Sequence, residues 1–353
     1  MPKRSDLAAS LQARVPFDVS KPMFDLHEVA RGRGWVGTVE KLGDKKAVSD
    51  AKCSALRDAL HEHELTGEKL CRFYRQDAAT LDGLRSALNA AKPPPSEMRD
   101  AYPLLLGESE LKKLPRGNPQ LISVEQVNDG VAAIFGSVRA LHTREPLDPG
   151  SLPDSVAKLF AAYDEVVGLK VIPIQVIDVV WVPDDGDVID LRVDFPKGTH
   201  ADEGRGAQIT TMDAFTKLAK KNDPFGSPVN LFPLISKMYD ASGEGRVVEL
   251  AFGTTTRSIK HEKMRVSADC LRTELYHIGG KASLKTPVRP YKVSIAYTVD
   301  LGGGIEAHPE LNLHSTNTVA ENPNPQLFDA VLRKTVGFAD YDHVRQRILH
   351  FAN

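Results

Sequence analysis

The sequence predicts an α+β fold, in which a small N-terminal α/β unit is followed by a larger part built from antiparallel β-hairpins and packed helices. Two observations lead to this prediction. Residues 50–92 contain two helical stretches separated by one strand-like stretch. Two later stretches, 171–195 and 291–314, each resemble a pair of strands around a polar or glycine-rich turn. Such pairs form antiparallel sheet, whose apolar faces need helices to cover them.

The N-terminal unit is predicted to alternate strands and helices. Residues 35–42 are predicted as a strand, residues 50–64 as a helix that begins after Ser49, and residues 70–75 as a second strand. A further helix is predicted after Asp77, because the leucines that follow recur at helical spacing. Three consecutive prolines end that helix.

The proline-rich stretch is the best domain boundary in the chain. It divides the sequence into a small α/β domain (1–92), a connector with a possible hairpin (93–152), and an antiparallel-sheet α+β domain with C-terminal helices (153–353). Within the connector, residues 120–142 fit a hairpin around an Asn-Asp-Gly turn, but their apolar residues also keep helical spacing. We favour the hairpin.

The third range begins with a predicted hairpin of residues 171–182 and 188–195. If Val182 pairs with Val188, Asp178 lies opposite Arg192, and this ion pair would make a buried aspartate tolerable. Two helices, near 212–221 and 231–240, and a strand at 247–252 are predicted to follow.

A second hairpin is predicted from residues 291–299 and 305–314. Pairing of Val299 with Ile305 gives one apolar face and one polar face, as expected for a sheet covered on one side. Two helices are predicted to end the chain. The first would begin at Asn324 and Pro325, and the second at Asp340.

Composition limits the possible class of protein. The 353 residues are 41% apolar and 26% charged, with a net charge of −2, as in ordinary globular proteins. Three cysteines without CxxC spacing indicate neither a disulfide framework nor a thiolate zinc site, and the cytoplasm is the expected location. No run approaches the roughly 18 apolar residues of a membrane span, so no membrane association is predicted. No cofactor or metal is predicted.

The most informative segment is residues 257–292. It carries nine Lys or Arg and three acidic residues, a net charge of +6 within a chain of net −2. Such an asymmetry indicates a surface that meets an anion. A helix over residues 268–278, capped by Ser267, and a glycine-flanked loop at Lys281 are predicted inside it. Five cations are predicted to bind phosphate oxygens, which suit guanidinium and ammonium groups: Arg257, Lys260, Lys263, Arg265 and Lys281.

These residues favour a non-catalytic cytoplasmic protein that binds nucleic acid or another phosphate-bearing ligand. One alternative is an enzyme of phosphate chemistry, either a metal-dependent nuclease or a hydrolase. The nuclease would use Asp178, Asp190 and Asp194, and the hydrolase His261 and His277. The other alternative is a subunit of an assembly whose basic segment meets an acidic protein partner. An ordinary solvated surface also explains the charge.

Three further patterns carry less weight. Residues 32–37 match GxGxxG, but the stretch before them is helix-like and the stretch after them strand-like, the reverse of a dinucleotide site. Metal-competent side chains alternate over residues 306–314, as on the solvated face of a sheet. Cys270 lies beside basic residues that could lower a thiol pKa, although a small buried hydrophobe is the ordinary role of such a cysteine.

Overall fold

The computed structural model describes residues 3–160, 162–254, 258–266 and 268–352. The chain has an α+β fold with a large antiparallel sheet. Within the described residues, no helix has both the length and the apolar character needed to cross a membrane.

Thirteen α-helices lie within the described residues. They are α1 (Arg4–Arg14), α2 (Ser20–Leu26), α3 (Gly34–Gly43), α4 (Asp50–Thr66), α5 (Ala78–Ala90), α6 (Glu97–Ala101), α7 (Glu108–Leu111), α8 (Asp154–Phe160), α9 (Ala201–Ala219), α10 (Phe232–Asp240), α11 (Leu275–Ala282), α12 (Asn317–Ala320) and α13 (Phe338–Ala352).

Thirteen strands lie in the same ranges. They are β1 (Lys69–Arg75), β2 (Gln120–Gln126), β3 (Gly130–Leu147), β4 (Val166–Pro183), β5 (Val188–Asp194), β6 (Ser227–Pro228), β7 (Arg246–Gly253), β8 (Ile259–Lys263), β9 (Arg289–Ala296), β10 (Val299–Asp300), β11 (Glu306–Ala307), β12 (Glu310–His314) and β13 (Ala330–Arg333).

Eleven strands form the main sheet, in the order β2-β3-β4-β5-β1-β13-β12-β9-β7-β8, and β6 pairs with β1 off this path. Each of the three predicted ranges contributes strands. Strand β1 pairs with both β5 and β13, and the β2–β3 hairpin continues into β4. The division at residues 92 and 152 stays a prediction.

Helices cover both faces of the sheet around β1. Leu70 and Tyr74 join a core with α5 and α9, whereas Cys71 and Phe73 join a core with α10 and α13. Since successive side chains of a strand point to opposite faces, these two cores lie on opposite sides of the sheet. We call the α10/α13 side the first face and the α5/α9 side the second face.

Residues 35–42 form most of α3, so the predicted strand is wrong. Trp35, Val39 and Leu42 fall at helical spacing and pack into a core shared with α1, α2 and α4. Val36, which supported the strand prediction, is exposed. Burial of one helical stripe therefore outweighed the β-propensity of this stretch.

Residues 32–37 lead into helix α3, so the strand predicted after this motif is wrong. Helix α2 precedes it, so the strand-turn-helix context of a dinucleotide site is missing here. Gly32 is required by close packing, since a Cβ there would lie 2.1 Å from the carbonyl carbon of Gly37.

The two hairpins predicted for residues 171–195 and 291–314 both form, but their registers differ from the predictions. Strands β4 and β5 pair Val179 with Arg192, one residue from the predicted register, so Asp178 and Arg192 lie on opposite faces and do not form the expected ion pair. Val299 pairs with Ala307, two residues from the predicted register. A shift of two preserves the faces, and the predicted apolar side of that hairpin is buried.

Two predicted helix positions are also wrong. The 268–278 helix is replaced by a 3-10 turn at Leu271–Thr273 and by α11, whose N-cap is Glu274; its predicted cap, Ser267, lies outside the described residues. No helix begins at Asn324 and Pro325, and the chain there leads into β13. The hairpin favoured for 120–142 is confirmed, as are the helices after Ser49 and Asp77.

Candidate functional site

The basic segment lies at one end of the main sheet. Strand β8 is the last strand in the order and pairs with β7, and within the described part of the chain no strand pairs with its other side. An edge strand presents unpaired backbone N–H and C=O groups, so β8 offers backbone donors as well as side chains. Its side chains are mostly exposed.

The residues of β8 divide between the two faces of the sheet. Glu262 pairs with Leu250, and Lys260 pairs with Phe252. Leu250 and Phe252 belong to the core of the first face, so Glu262 and Lys260 also lie on that face. His261 and Lys263 therefore point to the second face. The cations of β8 thus surround the sheet edge from both sides.

On the first face, a chain of hydrogen bonds joins β8, α11 and α10. Glu262 Oε2 lies 2.5 Å from Nδ1 of the buried His277, and His277 Nε2 lies 2.7 Å from the hydroxyl of Tyr239. Lys281 Nζ donates to that hydroxyl at 2.9 Å and lies over the Tyr239 ring. The chain fixes the position of Lys281, which is in α11 and not in the predicted loop.

On the second face, Glu249 collects the neighbouring donors. Lys292 Nζ and His261 Nε2 each lie 2.6 Å from Glu249 Oε1. Burial acts to raise the pKa of Glu249, but the hydrogen bonds from Lys292 and His261 outweigh it and lower that pKa to about 2. Ser294 Oγ lies 3.0 Å from His314 Nε2 beside this carboxylate. The second face thus carries a carboxylate that is ionised at neutral pH and paired with Lys292 and His261.

Two of the three acidic residues of the basic segment are used in internal contacts. Glu262 binds His277, and Glu274 caps α11 by accepting a hydrogen bond from the His277 N–H at 2.7 Å. In contrast, five cations are exposed and their side chains form no ion pair or hydrogen bond with any described residue: Lys260, Lys263, Arg265, Lys285 and Arg289. Arg272, Lys281 and Lys292 are also used internally, so the unpartnered charges of the described part of the segment are these five cations and Asp269, a surplus of four positive charges.

Four of the five residues predicted to bind phosphate are in the described ranges. Lys260 and Lys263 lie on opposite faces of β8, Arg265 follows the end of that strand, and Lys281 lies on α11. Arg257 is outside the described residues. The structure thus gathers these four around one sheet edge but does not place them on one flat surface.

The aspartates of the nuclease alternative are buried and paired with cations. Asp194 lies 2.5 Å from Lys69 Nζ and 2.7 Å from Arg14 Nη2. Asp178 binds Arg139, and Asp190 lies 2.9 Å from Arg345 Nε. Carboxylates held this way are typical of structural ion pairs. Within the described residues, no group of three or more His, Cys, Asp or Glu could hold a metal ion.

The two histidines of the hydrolase alternative are not brought together. His261 points to the second face, whereas His277 is held on the first face by Glu262. Cys270 is half-buried, and Arg272 Nη1 lies 3.7 Å from its sulfur. The remaining nitrogens of Arg272 donate to backbone carbonyls of residues 238–245, so this arginine braces the loop.

Sequence reasoning missed the apolar outward face of α11. Leu275, Tyr276 and Ile278 are 84%, 75% and 46% exposed, whereas His277 is the helix's buried residue. A surface helix normally buries its apolar side. The apolar residues of α11 are visible in the sequence as the run LYHI. The predicted helix begins seven residues before α11, so its buried and exposed faces could not be assigned.

Comparisons with protein-family models, curated proteins and solved structures find no significant match to this chain.

Proposed function

We propose that this protein binds nucleic acid, or another extended phosphate-bearing ligand, along the edge formed by β8 and α11. The observation that carries the proposal is the set of exposed, unpaired cations around this edge, beside acidic residues that are used internally. Lysine and arginine at such positions contact phosphate oxygens without selecting a base sequence. The location in the cytoplasm is part of the same proposal.

The edge geometry favours a strand-like ligand. Lys260 and Lys263 approach from opposite faces of the sheet, so a polyanion that runs along β8 can meet both. The unpaired N–H groups of β8 add uncharged donors. The exposed ring of Tyr276 offers one surface on which a base can stack.

Charge reversal tests this proposal. We expect the wild-type protein to bind a labelled oligonucleotide at low salt in fluorescence anisotropy. We expect the variant Lys260→Glu/Lys263→Glu/Arg265→Glu to bind at least tenfold more weakly, because three attractive phosphate contacts become repulsive. The matched control Lys45→Glu/Lys46→Glu/Lys92→Glu changes three exposed lysines outside the segment by the same total charge. No binding at low salt, or equal losses in both variants, contradicts the proposal.

A second candidate ligand is an acidic protein surface, as in a subunit of an assembly. The exposed side chains of Leu275, Tyr276 and Ile278 favour it, because apolar contacts of this kind are typical of the centres of protein interfaces. In that case Leu275→Ser/Ile278→Ser removes binding of a stoichiometric partner that survives nuclease treatment, while oligonucleotide affinity stays unchanged.

A further inference from the structure

A cleft of about 810 Å³ lies far along the sheet from β8, where α1, residues 100–111 and β4 meet. Its walls are largely aliphatic and include Leu104, Leu106, Leu141, Ile172 and Ile174. The volume is within the usual range of small-molecule sites, which are mostly apolar clefts with a few polar groups.

Two side chains of the lining each have a buried hydrogen-bond donor without a partner in the described residues. Gln175 is 3% exposed, and its Oε1 accepts from the Leu106 N–H at 2.9 Å, but no described residue accepts from its Nε2. Arg14 Nη2 lies 2.8 Å from Glu64 Oε2 and 2.7 Å from Asp194 Oδ2, while its Nε has no partner in the described residues. A buried donor without an acceptor is destabilising. Both side chains line the cleft, so a small rotation of each would present its donor to a ligand oxygen.

The charges around the cleft disfavour an anionic ligand. The buried charges beneath the cleft balance one another, because Arg14 and Lys69 lie against Asp194 and Glu64. The rest of the lining adds five carboxylates: Glu68 and Glu108 are paired with Arg333 and Lys112, whereas Asp6, Asp100 and Glu110 have no ion-pair partner in the described residues. An acceptor oxygen on a neutral group meets the free donors without this repulsion.

Two titratable groups beneath the cleft have shifted pKa values. Burial raises the pKa of Glu64, and burial lowers the pKa of Lys69, which donates to Asp194 at 2.5 Å. Such groups beside a cleft are more frequent at functional sites than elsewhere.

We propose that this cleft binds a neutral, largely apolar small molecule through a carbonyl-type oxygen that accepts hydrogen bonds from Gln175 and Arg14. The site lies apart from the β8 edge, so it is independent of the function proposed above. The apolar walls bind the body of the molecule, and the two donors orient its oxygen.

Prodan is a suitable probe, because it is a neutral naphthalene that carries one ketone and emits at shorter wavelength in apolar sites. We expect saturable one-site binding with a blue shift. Anilinonaphthalene sulfonate has a similar apolar body but is an anion, and we expect it to bind at least tenfold more weakly.

Two tryptophan variants locate the probe. Ile172→Trp places a larger side chain in the cleft and is expected to weaken prodan binding at least tenfold. Val171→Trp is the matched control, since Val171 is the adjacent residue of β4, is 43% exposed and is not part of the lining. Gln175→Glu replaces the amide donor by an oxygen at similar volume, keeps an acceptor for the Leu106 N–H, and is expected to weaken binding several-fold. It also decides the question if Ile172→Trp does not fold. No saturable binding, equal effects of both tryptophans, or equal affinity for the sulfonate overturns the proposal.

Discussion

At the scale of single residues, burial sets the chemistry of the charged groups. His63 is buried, and its Nδ1 donates to the carbonyl of Thr335 at 2.9 Å. Burial, with the nearby positive charges of Arg14 and Lys69, lowers its pKa from 6.5 to about 4. The folded protein therefore holds this imidazole in the neutral form.

This lowered pKa predicts a loss of stability on acidification. The unfolded chain binds a proton at His63 below pH 6.5, whereas the folded protein binds it only near pH 4. His63 therefore contributes a decrease in unfolding free energy as the pH falls through this window, of about 2 kcal/mol between pH 7 and pH 5.

Urea denaturation of the wild type and of His63→Gln at both pH values measures this contribution. The amide cannot titrate. Between pH 7 and pH 5 the wild type should therefore lose about 2 kcal/mol more unfolding free energy than the variant. A difference that stays constant with pH would show that His63 keeps its ordinary pKa in the folded protein.

At the scale of elements, the Tyr239 side chain helps to anchor α11 to α10. The Tyr239 hydroxyl joins His277 and Lys281, and its loss leaves the buried His277 Nε2 without a partner. We expect Tyr239→Phe to lower the free energy of unfolding by about 1–2 kcal/mol, as measured by denaturant titration. Tyr276→Phe is the matched control, because Tyr276 is exposed and should change stability little. Equal stability of both variants would contradict the anchoring role.

Long hairpins and capped helices could be predicted from the sequence because their signals are local. Ser49 caps α4 and Asp77 caps α5, each by accepting from the backbone N–H three residues later. The registers of the two hairpins could not be predicted, because they depend on the exact length of each turn, and that length is not evident from the sequence. Strand β13 was missed because its four residues fit the sheet only between β1 and β12.

The candidate site was predictable in charge but not in arrangement. The excess of Lys and Arg over residues 257–292 is visible in the composition. The separation of Lys260 from Lys263 onto opposite faces depends on the pairing of β8 with β7. The pairing of Glu262 with His277 depends on where α11 begins, and that start was placed too early.

At the scale of the whole molecule, one sheet connects distant parts of the chain. Strand β1, from the first 92 residues, lies between β5 and β13. At one end of this sheet is the basic edge of β8, and the cleft beside Gln175 lies towards the other. The two proposed sites are therefore separate, and variants of one should leave binding at the other unchanged.

The central claim is that exposed cations at the β8 edge contact phosphates. The most direct measurement is the slope of the logarithm of the oligonucleotide association constant against the logarithm of salt concentration. Each phosphate contact contributes about 0.7–0.9 to this slope. We predict a steep negative slope for the wild type and a slope smaller by roughly 2–3 for Lys260→Gln/Lys263→Gln/Arg265→Gln. A flat wild-type slope, or the same slope in both proteins, would contradict the claim.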